Sequence, residues 1–350
     1  MRLLLRVLLL ISITLLLSTV GIVGYFMQDS RAALARVETY MQETHQLDLQ
    51  IGCADLSSWR ELHHLRVGLE EVSLSHFDDP STVLHFDHVD LHLEVLGYWE
   101  FALRLDSVAV RGGYTQVQAN SSLISALRTL AQKDNTGGPS NLSFTLASDL
   151  PLSLQQFSLL YQDSRRAKHM EGRVNRLRTV ITKKGQGLAA ELNANIDIER
   201  LTFNPKKGSY LAGANLRMQP SLSYEEGCLK LPDFELWLDE QRFSASAELE
   251  INGAGHFSFD LQNESTPFAS TIAYVPAELR QTLTPYTIAN PLATRIRVNG
   301  GFAAGDNPLA RIDFHTVNNR FGIKNYPQLE EVSARGYLIN RARSDTCNWA

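Results

Sequence analysis

A six-residue beat recurs along this chain: one apolar residue, two polar, one apolar, one polar, one apolar. It reads Leu69-Glu-Glu-Val72-Ser-Leu74, Phe86-Asp-His-Val89-Asp-Leu91 and Leu105-Asp-Ser-Val108-Ala-Val110. It returns as Leu154-Gln-Gln-Phe157-Ser-Leu159, Ile198-Glu-Arg-Leu201-Thr-Phe203, Leu231-Pro-Asp-Phe234-Glu-Leu236 and, less cleanly, Leu329-Glu-Glu-Val332-Ser-Ala334. Repetition sets architecture before any site does. The stretches around the beats alternate, as in Val67-Gly-Leu69 and Phe101-Ala-Leu103-Arg-Leu105. Alternation marks a strand with one apolar face. Two polar residues where one is due shift the phase by one, and a β-bulge restores the apolar face while bending the strand. The pattern predicts a row of bent strands, apolar on one side.

The N-terminus reads differently. Leu3 to Met27 is almost wholly apolar, with Arg6 its one charge. About 20 such residues cross a bilayer as a helix. Arg2 and Arg6 favour a cytoplasmic N-terminus, a preference that Arg31 and Arg36 weaken without reversing. No small-x-small cleavage site closes the run, so a retained anchor is expected in residues 1–28. Residues 29–48 read as an amphipathic neck, with Leu34, Val37, Tyr40 and Met41 on one side of a helix that Asp29 or Ser30 caps. Two further helices are expected, over Ser121–Gln132 and Pro276–Leu283.

The formal net charge is -5, and no basic stretch with interleaved aromatics appears. That argues against a nucleic-acid partner. Cys53, Cys228 and Cys347 are widely spaced and follow no metal-binding pattern; any pairing among them stays open. Lys133-Asp-Asn-Thr-Gly-Gly-Pro-Ser140 is the strongest linker. It separates a membrane-proximal strand segment, 49–132, from a longer one, 141–350. A weaker break falls between Pro267 and Pro291. Both read as interruptions of one elongated antiparallel sheet, because repeat architectures share their core between neighbours.

Residues Arg36 to Gly112 resemble the start of YhdP-type proteins of the AsmA-like superfamily. Val37-Glu-Thr-Tyr-Met-Gln-Glu-Thr, Leu49-Gln-Ile-Gly52 and Trp59 carry the likeness, with the beat at 69–74, Leu84-His-Phe-Asp-His-Val-Asp-Leu-His-Leu93 and Leu105-Asp-Ser-Val-Ala-Val-Arg-Gly112. Near the other end, Tyr326-Pro-Gln-Leu329 and Gly336-Tyr-Leu-Ile339 are similar to the family's recurrent Trp-Pro-x-Leu and following strand, with Tyr326 in place of the tryptophan. The middle matches in strand rhythm alone.

The resemblance implies a bridge-like lipid-transfer protein. Such proteins are anchored in the bacterial inner membrane and extend a curled, repeating β-groove through the periplasm. Phospholipid acyl chains lie in the apolar interior on the way to the outer membrane. A groove removes most of the roughly 0.8 kcal/mol per methylene that acyl chains lose in water. No cofactor and no covalent chemistry are implied. The expected lining is Val67, Leu69, Val72, Leu74, Val89, Leu91, Leu93, Leu103, Leu105, Val108 and Val110, continued by Phe157, Leu159, Leu201, Phe203, Phe234 and Leu236. YhdP-type proteins are several times longer, so the groove is expected to be incomplete at the C-terminus, with further periplasmic or outer-membrane components as partners.

Other chemistry was weighed against this. His88, Asp90 and His92 share one face of a strand, and two histidines with a carboxylate suit zinc or iron. Residues four apart on a strand stand ~13 Å apart, too far for one ion, so a solvated outer face explains them better. Hydrolase motifs and glycine-rich phosphate loops are missing. The rival to a conduit is a membrane-anchored structural or assembly factor whose apolar residues fill a closed β core.

Overall fold

The alternating stretches fold as strands, and the sheet they build is mostly antiparallel. The computed structural model describes residues 30–58, 64–76, 79–97, 102–118, 144–163, 168–185, 187–204, 208–250, 255–274, 277–301 and 309–339. The span expected at Leu3–Met27, the helix expected over Ser121–Gln132, the 133–140 linker and Cys347 lie outside these residues. Among the described residues no helix is long and apolar enough to cross a membrane. The chain divides into two compact units, Met1–Lys183 with Ala194–Phe203, and Lys184–Asn193 with Asn204–Ala350.

The first unit opens with α1 (Ser30–His45). Leu34 and Met41, seven residues apart and so nearly two full turns, are buried on its inner stripe. Tyr40 was expected beside them but is exposed, being a sixth of a turn or more off that stripe. The backbone N–H of Ile51 donates to Glu38 Oε1 at 3.1 Å and ties the helix to the first strand.

The strands of this unit are β1 (Leu47–Ser58), β2 (His64–His76), β3 (Asp79–Gly97), β4 (Ala102–Arg111), β5 (Tyr114–Gln118), β6 (Phe144–Leu146), β7 (Asp149–Asp163) and β8 (Lys168–Lys184). The second half of β9 (Gly187–Asn204) completes it. β1 to β4 pair antiparallel in sequence order, and β5 prolongs β4 along β3. The sheet is not antiparallel throughout, as expected from the pattern. β7 runs parallel to β4 and β5 before β8 returns antiparallel. Parallel neighbours need a crossover of a dozen residues or more, and the chain between β5 and β6 is long enough to provide one.

The polar pairs of the beats line up. Flanking pairs place Gly52 opposite Glu71, Glu71 opposite Asp87, and Asp87 opposite Gly112. Gly112 in turn faces Gln156, and Gln156 faces Asn175. Along this line Glu71 (φ 53), Gly112 (φ 72) and Gln156 (φ 54) adopt left-handed backbone. A crease therefore crosses the sheet. On either side of it the apolar residues stay on one face: Leu69 and Val72, Val89 and Phe86, Leu154 and Phe157, Leu177 and Val174 are all buried. Bulges were expected at each beat. Here no register shift is needed, because neighbouring strands change phase together. True shifts occur in the third beat, opposite His92 and Leu93, and in the sixth, between Leu231 and Phe234. Gly113 lies beside the crease, between Phe86 and Phe157, whose rings stack at 5.5 Å. Its φ is 120, and a Cβ there would collide with the His85 carbonyl and the Phe86 Cα.

The second unit holds the first half of β9, then β10 (Gly208–Tyr210), β11 (Ala214–Met218), β12 (Ser221–Glu225), β13 (Cys228–Leu238), β14 (Gln241–Glu250) and β15 (His256–Thr266). Two short helices follow, α2 (Phe268–Ala273) and α3 (Ala277–Leu283), then β16 (Tyr286–Ile288), β17 (Leu292–Gly301), β18 (Leu309–Ile323) and β19 (Leu329–Ile339). The proline-rich break is thus a helical insert; α3 falls within the expected helix, and α2 is additional. Tyr274, just after α2, donates its hydroxyl to Asp239 Oδ2 at 2.7 Å and anchors the insert beyond β13. Pairing runs antiparallel through β12, β13, β14, β15, β17, β18 and β19.

Candidate functional site

In the first unit the expected lining residues share one face. Val67 pairs with Leu91 and Leu91 with Val108; Leu69 pairs with Val89 and Val89 with Val110; Leu93 pairs with Leu105 and Val95 with Leu103. Val72 and Leu74 continue it opposite Phe86 and Leu84. All of the lining residues named from β2, β3 and β4, and Phe157, are buried, while Leu159 and Leu201 are half-buried. The side chain of Phe203 lies outside the described set. Leu91 is 1% exposed. This face is closed by protein, so an apolar molecule reaches it only if the unit opens.

The second unit presents a different surface. Phe234, Ala245, Leu261, Ile296, Ile312 and Leu338 stand in register across β13, β14, β15, β17, β18 and β19. Beside them runs Leu231, Ala247, Phe259, Val298 and Ala310. Cross-strand partners project to the same side, so these rows form an apolar stripe perpendicular to the strands. Phe234, Leu236 and Leu231 are buried at its start, whereas Leu261, Phe259, Ile296, Val298 and Ile312 are half open. Beyond a phase change near Thr316, Ile288, Phe321 and Leu329 extend it, and Leu329 is 57% exposed. The seventh beat is therefore the most open one. Six strands at ~4.8 Å spacing make the stripe ~24 Å long.

The opposite face of these strands is ionic. Arg295 Nε donates to Asp260 at 3.0 Å, and Arg297 and Arg311 converge on Asp313 at 2.7 and 2.6 Å. Hydrogen bonds from Arg311 and then Arg297 hold the Asp313 carboxyl below its ordinary value. Lys230 with Glu248, and Arg242 with Glu235, continue the pattern. One side is thus suited to hydrocarbon and the other to water.

The histidine-rich stretch forms an ion cluster. Asp90 was expected on a solvated outer face; it does lie opposite Val89 and Leu91, but its side chain is buried beneath two arginines. Arg66 donates Nε and Nη2 to Oδ1 at 2.8 and 2.7 Å, and Arg111 Nη2 donates to Oδ2 at 2.8 Å. Burial by itself would push this carboxyl up, but the Arg66 hydrogen bonds and the nearby His88 outweigh it and hold the carboxyl below its ordinary value. His88 Nε2 comes within 3.1 Å of Oδ1 but makes no hydrogen bond. With both oxygens of Asp90 held by arginine, His88, Asp90 and His92 do not present a ligand set, and no metal-holding group occurs among the described residues.

Cys53 and Cys228 are free thiols, each donating to a cross-strand glutamate: Cys53 to Glu70 at 3.0 Å and Cys228 to Glu248 at 3.2 Å. The Glu70 hydrogen bond raises the Cys53 thiol, and burial followed by Glu248 raises Cys228. Both are thereby less nucleophilic than an ordinary cysteine. No protein-family model matches this chain, and no curated protein matches it.

Proposed function

We propose that this protein is a non-catalytic lipid carrier, anchored in the bacterial inner membrane by Leu3–Met27, with its sheet in the periplasm. The stripe of the second unit would hold phospholipid acyl chains on their way toward the outer membrane. One observation carries the reading: an apolar face crosses six strands in register and stays half open to solvent. Monomeric soluble proteins rarely expose continuous apolar surface of this extent without a partner for it. The stripe is longer than the ~15 Å depth of one leaflet's hydrocarbon, so an acyl chain fits along it. The resemblance of residues 36–112 to YhdP-type proteins supports the same reading.

A second reading is favoured by the first unit. Its apolar face is closed, as in the filled core of a structural or assembly factor. Photocrosslinkers at Val298, on the stripe, and at Arg297, on the ionic face, separate the two. Lipid adducts at position 298 and not at 297 are expected of a carrier. Absence of phospholipid at both positions, in membranes where a known carrier is labelled, would leave the assembly factor standing. A reporter fused after residue 140 should be active only when exported; activity in the cytoplasm would sink the topology.

A further inference from the structure

The polar face of β2, β3 and β4 carries a hollow of about 290 Å³. His64, Arg66, His92, Asp106 and Ser107 line it, together with two leucines. Its construction follows from register. Arg66 stands opposite His92, and His92 opposite Ser107. The pairing then shifts by one, so that Leu93 faces Leu105 and Asp106 becomes the extra residue. A bulge of this kind re-aims side chains and opens space beside the strand. It brings a guanidinium, two imidazoles and a hydroxyl around one cavity.

The geometry points to a binding site for a tetrahedral oxyanion, the chemistry of a phosphate group, that tightens as His64 and His92 gain protons. The acids around the hollow already have partners. Asp90 of β3 is held by Arg66 and Arg111. Arg104 of β4 pairs with Asp106, through Nε at 2.9 Å, and with Glu94 of β3. These three arginines balance these three carboxylates. Further along the face His88 lies 3.9 Å from Glu70, and Asp55 of β1 stands opposite Gly68. The two histidines that line the hollow therefore decide its sign. Near neutral pH it is balanced; below the ordinary histidine range it becomes cationic. Arg66 bonds Asp90 through Nε and Nη2, and its Nη1 edge remains on the guanidinium plane for an oxyanion. A lipid headgroup and a free phosphate ester share this chemistry. The proposal does not rest on the acyl-chain reading, because it concerns the opposite face of a different unit.

Sulfate is the first probe, since it stays dianionic throughout the histidine range and isolates the protein's own titration. Calorimetry on the full chain in a non-ionic detergent should show saturable binding that tightens about tenfold from about pH 8 to about pH 5.5, the value of two partly exposed ion pairs. The double variant His64→Gln, His92→Gln should melt at the parent temperature and lose the pH step, because neither histidine holds Asp90. Comparing glycerol 1-phosphate with a short-chain phosphatidic acid then assigns the source: equal affinity means a free phosphate ester, and tighter lipid binding means a headgroup. No saturable binding, binding indifferent to pH, or a pH step retained by the folded double variant would each overturn the proposal.

Discussion

Replacing Asp90 by Asn tests whether the ion cluster on the outer face of β3 stabilises the first unit. The side chain of Asp90 is 7% exposed, whereas Arg66 and Arg111 are 43% and 56% exposed. Asn removes the charge and turns an N–H₂ toward one arginine, setting donor against donor. A charge-assisted hydrogen bond contributes about 1.5–3 kcal/mol, but both arginines can turn into water and recover part of it. The net loss at neutral pH should be about 2 kcal/mol. The pH dependence has a definite sign. The folded carboxyl lies below its unfolded value of about 3.9. Its stabilisation is therefore complete above that unfolded value and is lost as pH falls through the folded one. Urea unfolding of parent and variant, followed by circular dichroism and by proteolysis within β2–β4, should show the gap at neutral pH and its closure in acid. A gap under about 0.5 kcal/mol at neutral pH, or one of undiminished size in strong acid, would refute the reasoning.

Leu91→Asp should unfold the first unit, since an unpaired carboxylate at a site 1% exposed costs several kcal/mol; parental protease resistance would show that this face is open after all. Gly113→Ala should destabilise the first unit by at least about 2 kcal/mol, from a φ that alanine does not tolerate and a clash with the His85 carbonyl. A melting temperature equal to the parent's would mean that the crease relaxes freely.

Much of this architecture was readable beforehand because strand alternation reports which side of each strand is apolar. Leu69 and Val72, or Val89 and Leu91, could be placed on one face from the beat alone. What covers that face could not, since a closed core and an open trough impose the same alternation. The stripe of the second unit was missed for a different reason. Phe257-Ser-Phe259-Asp-Leu261 and Ala310-Arg-Ile312-Asp-Phe314 alternate plainly, but attention to the six-residue beat passes over simple alternation. Asp90 looked outward because its sequence neighbours are apolar. Its partners Arg66 and Arg111 stand 24 and 21 positions away, and only the register brings them together. The parallel step at β7 was equally hidden, since nothing local distinguishes a strand that will pair parallel.

The crease also answers a problem that repetition creates. A strand with unbroken alternation can slide two residues along its neighbour and still show the same face, and beats this similar invite such errors. The aligned phase change works as a keyway. If β3 slid by two against β2, Val72 would meet His88 and Glu71 would meet Val89, in place of the observed Val72–Phe86 pair. Polar side chains would stand among apolar ones until the strands moved back. Each strand in the first unit carries the same notch, so a correctly seated pair offers the next strand only one position in which to lock.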